Sequence, residues 1–216
     1  MANQVIYGRQ PVAEAQRGRR RVHQVWQVPE VAAAELERLC GSPDHQGIVA
    51  EVDPYPYVAP SSLFGDKAGL ILALDQVQDP RNLGAIARSA EFAGAAGLAI
   101  PDRRSAMVTA AACKASAGAV EHTLIARVRN LTDWLGVAKE SGYWIWGAEA
   151  GADRAPWEVD LRGPTVLVLG GEGSGIRPRV AAACDALVAL PRRGEVSSLN
   201  VAAAATALLF EALRQR

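Results

Sequence analysis

From residue 70 onward the chain alternates short apolar runs with segments of helical period. Leu70–Leu74, Leu98–Ile100, Leu124–Val128, Tyr143–Trp146, Val166–Leu169 and Ala186–Leu190 are apolar throughout, apart from Arg127 in the third. A strand apolar on both faces belongs in a parallel sheet covered by helices on each side. Between these runs, Leu83–Phe92, Met107–Ala117, Leu131–Glu140 and Arg177–Ala183 carry the helical pattern, and Leu199–Arg214 closes the sequence as the longest helix. Its alanine run, 202–205, is strong helix former. The pattern therefore predicts an α/β fold built on a parallel sheet.

Residues 1–58 form a separate compositional block. They are followed by Pro54, Pro56, Pro60, Ser61, Ser62 and Gly65, a stretch with linker character. The expected organisation is a small domain over 1–58, a linker over 59–68 and a larger domain over 69–216.

Composition narrows the function classes. Among 216 residues, 50% are hydrophobic, enough for a real core, yet no run of about 18 apolar residues occurs, so no membrane span is expected. The opening MANQVIYGRQ lacks the apolar region of a signal peptide, which makes cytoplasm the expected location. Cys40, Cys113 and Cys184 are widely spaced without a C-x-x-C pair, so neither a disulfide framework nor a zinc site is expected, and no metal is assigned. His23, His45 and His122 are scattered and receive no catalytic role.

Three polar segments follow apolar runs, where ligands of open α/β sheets bind. The first is Asp75–Arg88, DQVQDPRNLGAIAR. The second is Leu167–Arg177, LVLGGEGSGIR, with a Glu in a glycine-rich loop. The third, Leu190–Arg216, runs through Ser197, Ser198 and Asn200 into the last helix. There the side chains and the unpaired N–H groups of a first helical turn can meet a ligand together, although Ser-Ser-Leu-Asn alone reads equally well as an ordinary N-cap. The glycine loop lacks both G-x-G-x-x-G spacing and the Gly-Lys-Ser/Thr of a P-loop, which disfavours a dinucleotide or nucleoside triphosphate.

In order and spacing, the three segments resemble the TrmH (SpoU) family of S-adenosylmethionine-dependent RNA ribose 2′-O-methyltransferases, in particular the branch that modifies a guanosine of 23S ribosomal RNA. The resemblance covers residues 69–216. It implies a knotted parallel-sheet α/β catalytic domain of SPOUT type, preceded by a small α+β substrate-binding domain, and a homodimer. In that branch Ile6-Tyr7-Gly8 opens the small domain and His45-Gln46-Gly47-Ile48 lies near its end; the span between them is shorter here than the family pattern leads one to expect. A homodimer is also in keeping with the apolar excess of the last helix, with Val201, Leu208, Leu209, Phe210 and Leu213.

With RNA as the implied partner, the charge distribution gains meaning. Formal net charge is zero, but residues 1–28 hold Arg9, Arg17, Arg19, Arg20 and Arg21 against Glu14 alone. Residues 29–58 hold Arg38 against six acids. Arg9, Arg19, Arg20 and Arg21 are the expected RNA-facing patch.

By the same resemblance Gly170, Leu190 and Leu199 contact the cofactor through their backbone. Methylating a hydroxyl requires an in-line sulfonium methyl, a group to orient or take the proton, and an anchor for the neighbouring phosphate. Arg88 is the expected residue for the last two, with Asn82 at the helix entry, Glu172 orienting these two, and Ser198 and Asn200 orienting substrate or cofactor from the last helix. A guanidinium is not normally deprotonated in proteins, so phosphate binding and polarisation of the hydroxyl suit Arg88 better than true base catalysis. Two other readings stay open: a tRNA 2′-O-methyltransferase, and a ribosome-assembly factor that binds RNA without turnover.

Overall fold

The computed structural model describes residues 3–65, 69–173 and 175–216. Of the expected linker over 59–68, residues 66–68 lie outside the described residues, as does Ser174 of the glycine loop. In chain order the elements are β1 (Gln4–Tyr7), α1 (Arg9–Arg17), β2 (Val22–Gln27), α2 (Ala33–Cys40), β3 (Ile48–Val52), β4 (Leu70–Asp75) and α3 (Pro80–Phe92). They continue with β5 (Gly97–Pro101), α4 (Ala110–Ala115), β6 (Ile125–Val128), α5 (Leu131–Glu140), β7 (Trp144–Ala148), β8 (Thr165–Gly170), α6 (Pro178–Ala183), β9 (Ala186–Val188) and α7 (Val201–Gln215).

The chain divides into two compact units. The first comprises Met1–Pro56, Pro80–Arg88 and Met107–Thr123, the second Tyr57–Asp79, Ser89–Ala106 and Leu124–Arg216. In the first, β1 and β2 flank β3 in an antiparallel sheet whose residues Ile6, Val49, Ala50 and Val52 are buried, as are Val12, Ala15 and Leu36 of the helices. The N-terminal block does not complete this core alone. Arg20 is buried and its guanidinium is paired with the equally buried Glu121, while its Nη2 also meets Cys113 Sγ at 3.3 Å. The phenol of Tyr55 donates to the Thr123 carbonyl, to which Arg19 Nη2 also donates at 2.7 Å.

The second unit holds a six-stranded sheet, order β6-β5-β4-β8-β7-β9, with every pair parallel. This is the parallel sheet that the apolar runs predict, and β4 is buried at every position from Leu70 to Asp75. One face carries Ile71, Ala73, Val166 and Val168 into a core with Leu131, Leu135 and Ala138 of α5 and Val180 of α6. The alternating residues Leu72, Leu74, Leu167 and Leu169 face the other way, where α7 lies along β8 with Leu208 and Leu209 buried.

Helix boundaries shift from expectation for local reasons. The helix expected from Leu83 begins at Pro80, because a proline in the first turn loses no hydrogen bond. The one expected over Met107–Ala117 contracts to α4, capped by Thr109, whose hydroxyl accepts from the Ala112 amide at 3.5 Å. The last helix starts at Val201, because Asn200 is its N-cap and accepts from the amides of Ala202 and Ala203 at 2.9 and 3.4 Å.

Candidate functional site

Parallel register decides which loops meet. Asp75 pairs with Gly170, Leu169 with Ala148, and Ala148 with Val188, so the loops after β4, β7, β8 and β9 all leave one edge of the sheet. They are tied to one another there. The Asp75 side chain, fully buried at the end of β4, accepts from the Arg177 backbone N–H at 2.8 Å, from its Nε at 2.8 Å and from its Nη2 at 2.6 Å. Glu149, just after β7, accepts from the Ile176 amide at 3.3 Å, and its own amide donates to Val188 at 3.0 Å.

The glycine loop closes within this frame. Gly171 and Gly175 form an antiparallel bridge, and a Cβ on Gly170 would run into the Gly175 carbonyl and the Ile176 amide nitrogen. A Cβ on Gly171 would meet the Gln76 carbonyl of the neighbouring loop. Both positions therefore need glycine for close backbone approach. Glu172 and Gly173 are exposed at the tip of the loop.

After β9 the chain runs from Pro191 to Asn200 fully exposed and without regular structure. Among the described residues, no backbone hydrogen bond is made between Pro191 and Leu199. This stretch offers main-chain donors and acceptors together with the exposed apolar side chains of Val196 and Leu199. Gly170, Glu172, Leu190, Ser198, Leu199 and Asn200 thus share the second unit, Gly170 at the end of β8 and the others on the loops after β8 and β9. Asn200 is held by its cap hydrogen bonds, which fixes the side chain rather than leaving it to swing.

Asn82 and Arg88 lie on the part of α3 that belongs to the first unit. Asn82 is half-buried in the first turn, and Arg88 is exposed, its side chain making no hydrogen bond or ion pair among the described residues. Of the four arginines expected to face RNA, Arg9, Arg19 and Arg21 are exposed. Arg20 is a correction: its guanidinium is buried against Glu121, so it serves the core of its unit. The sequence reading also gave no role to Asp75, Glu149 and Arg177, which hold the loops together. The one signal for Asp75 was an acid closing a wholly apolar strand, LILALD. Among the described residues, no group of His, Cys, Asp and Glu is arranged to hold a metal, and no helix is long and apolar enough to cross a membrane.

This arrangement has relatives. The model of the SpoU rRNA methylase family matches residues 69–210. The chain belongs to the SpoU rRNA methylase family. A second model, for RNA 2′-O ribose methyltransferase substrate binding, matches residues 27–58. Within the SpoU family the chain is 43% identical over 195 residues to an uncharacterized tRNA/rRNA methyltransferase of Synechocystis sp., covering 88% of this chain and 50% of that protein. The chain thus spans only about half to three-fifths of the length of the curated SpoU relatives it matches. Among solved structures, the SpoU methyltransferase AviRb of Streptomyces viridochromogenes, in complex with AdoMet, superposes with a TM-score of 0.83 at 26% identity, over 99% of this chain and 90% of that one. An AdoMet-bound rRNA methyltransferase from Sinorhizobium meliloti gives 0.84 at 25% identity, over 98% and 87%.

Proposed function

We propose that this chain transfers a methyl group from S-adenosylmethionine to a ribose 2′-hydroxyl of RNA, with a guanosine of 23S ribosomal RNA as its target. The observation that carries the reading is the exposed segment Pro191–Leu199, which among the described residues makes no backbone–backbone hydrogen bond and which leaves the sheet at the edge where β4, β7, β8 and β9 end. Backbone groups and flanking apolar side chains suit a flat adenine and a methionine tail, so the residues present fit the cofactor. Gly170, Leu190 and Leu199 would hold it through their main chain, and when bound it supplies an electrophilic sulfonium methyl.

The remaining work falls to side chains of this chain. Arg88, exposed on α3, binds the phosphate beside the target ribose and polarises the 2′-hydroxyl, whose proton would pass to solvent water. Asn82 and Glu172 orient that encounter, and Ser198 and Asn200 position substrate from the entrance of α7. Arg9, Arg19 and Arg21 contact RNA. The knot of the SPOUT fold, a cytoplasmic location and a two-fold dimer belong to the same reading. For the dimer, the support is an apolar face: the rings of Phe92 (75% exposed) and Phe210 (42% exposed) lie 6.0 Å apart, with Leu213 also exposed on α7. Ser89 and Thr206, 2.7 Å apart, bind α3 to α7 beneath it.

The test is incubation of the folded protein with methyl-labelled cofactor and ribosomal RNA, with cofactor binding measured by calorimetry on the same sample. Label on an RNA ribose is expected. Cofactor binding without label in RNA, or label on a base or on protein, would remove the reading.

A further inference from the structure

A second surface of the sheet's carboxyl edge lies at the ends of β5 and β6 and borders the glycine loop at Arg177. It is an open groove of about 1340 Å³ within the second unit, walled by the ends of β5 and β6, the start of α5 and the start of α6. Arg103 and Arg104 reach it from the turn after β5, Arg129 from the turn after β6, and Arg177 and Arg179 from the start of α6. All five are exposed, and one carboxylate, Asp133, lines the groove with them. Arg177 is committed to Asp75. Among the described residues, Arg103, Arg104, Arg129 and Arg179 make no ion pair.

Three features say what this groove takes. Its volume exceeds the roughly 300–1,000 Å³ of small-molecule sites, and it is open rather than enclosed. Its cations are guanidinium groups, whose planar forks suit phosphate. Its aromatic, Trp134, is buried, stacked on Phe64 with ring centroids 5.2 Å apart, and donates its indole N–H to Pro60 at 3.4 Å, so it offers no platform for a base. Four guanidinium groups outside any ion pair among the described residues, set against the single carboxylate Asp133, are a local excess of positive charge in a chain of zero net charge, and their mutual repulsion is relieved by an anionic partner.

We propose that Arg103, Arg104, Arg129 and Arg179 form a track for the phosphodiester backbone of the RNA strand flanking the modified nucleotide. The proposal rests on the RNA methyltransferase reading and deepens it. The track reads charge and spacing and not sequence, because its contacts are to phosphate. It holds the strand in place while the ends of β4, β8 and β9 serve the reaction.

The experiment compares wild type with Arg103→Gln/Arg104→Gln and with Arg129→Gln/Arg179→Gln. Binding of a mixed-sequence single-stranded RNA is measured across a salt series, alongside thermal unfolding, calorimetric S-adenosylmethionine affinity and steady-state methylation of ribosomal RNA. Each phosphate contact removed should lower the slope of log affinity against log salt by about 0.7, so each double variant should lose roughly 1.4. KM for RNA should rise at least about tenfold while kcat, cofactor affinity and unfolding temperature stay at wild-type values. Unchanged salt slopes and KM in both variants would overturn the track, as would wild type failing to bind the RNA at all. Wild type that binds RNA but methylates none would strike the catalytic reading, with the salt slopes still deciding the track.

Discussion

Replacing Arg177 with alanine tests whether the loops of the site are held by the buried carboxylate beneath them. Asp75 is 0% exposed and takes three donors from Arg177, one of them the backbone amide that survives the substitution. Breaking a buried pair and stranding its charge costs about 3–5 kcal/mol. The guanidinium is itself 44% exposed, so solvent already screens part of the interaction and the lower figure of about 2–3 kcal/mol is expected. Asp75→Asn strands no charge and keeps an acceptor for the Arg177 amide, so it should cost less, about 1–2 kcal/mol. Combined, the two changes should cost less than their sum by at least about 1 kcal/mol, because without the carboxylate there is nothing left for the guanidinium to compensate. Urea unfolding of the four proteins at neutral pH measures this. S-adenosylmethionine affinity should fall in Arg177→Ala, because the glycine loop that ends at Arg177 loses its anchor. Arg177→Ala within about 0.5 kcal/mol of wild type, with strictly additive effects, would refute the reasoning.

Other consequences are as direct. Arg20→Ala should destabilise the protein by about 3–5 kcal/mol in urea unfolding, because it leaves Glu121 buried without its partner; a loss of RNA affinity with unchanged stability would contradict the structural role. Gly170→Ala should abolish cofactor binding by calorimetry, because a Cβ there meets backbone atoms of Gly175 and Ile176 that cannot rotate away. Asn200→Ala should cost about 1 kcal/mol as a lost N-cap and weaken the cofactor as well, read by thermal unfolding and calorimetry. Burial pushes the Cys113 thiol up to about 11 and the Cys184 thiol up to about 12. Both should therefore resist iodoacetamide at neutral pH until denaturant is added. Because these folded-state values lie above the ordinary thiol value, the stability they contribute is complete below about pH 9 and declines as pH rises toward 11 and beyond.

The sheet was legible because its central strands β4 and β8 are buried on both faces and so appear as apolar runs; LILALD and TVLVLG need no context to be read. Helix ends were less legible, because Pro80, Thr109 and Asn200 set them through one or two local hydrogen bonds or the lack of a donor. The site was visible as three polar loops after strands, whereas the contacts that unite them were not. Arg177 lies 102 residues from Asp75, and although an acid closing an apolar strand marks Asp75, no local pattern names its partner. The same distance effect misplaced Arg20. Its neighbours Arg19 and Arg21 made it look like part of a surface patch, while its partner Glu121 stands 101 residues away. The arginines of the groove, drawn from three separate loops, escaped for the same reason.

The central claim is that this chain methylates RNA at a ribose hydroxyl and that Arg88 serves the transfer and not the cofactor. Single-turnover transfer of labelled methyl to ribosomal RNA, followed by alkaline hydrolysis, tests both parts, because a 2′-O-methyl ribose blocks cleavage of the adjacent phosphodiester. Wild type should place the label in alkali-resistant dinucleotides. Arg88→Ala should fold, bind S-adenosylmethionine nearly as wild type does, and transfer at least about a hundredfold more slowly. Label appearing in mononucleotides, or transfer by Arg88→Ala at the wild-type rate, would contradict the account.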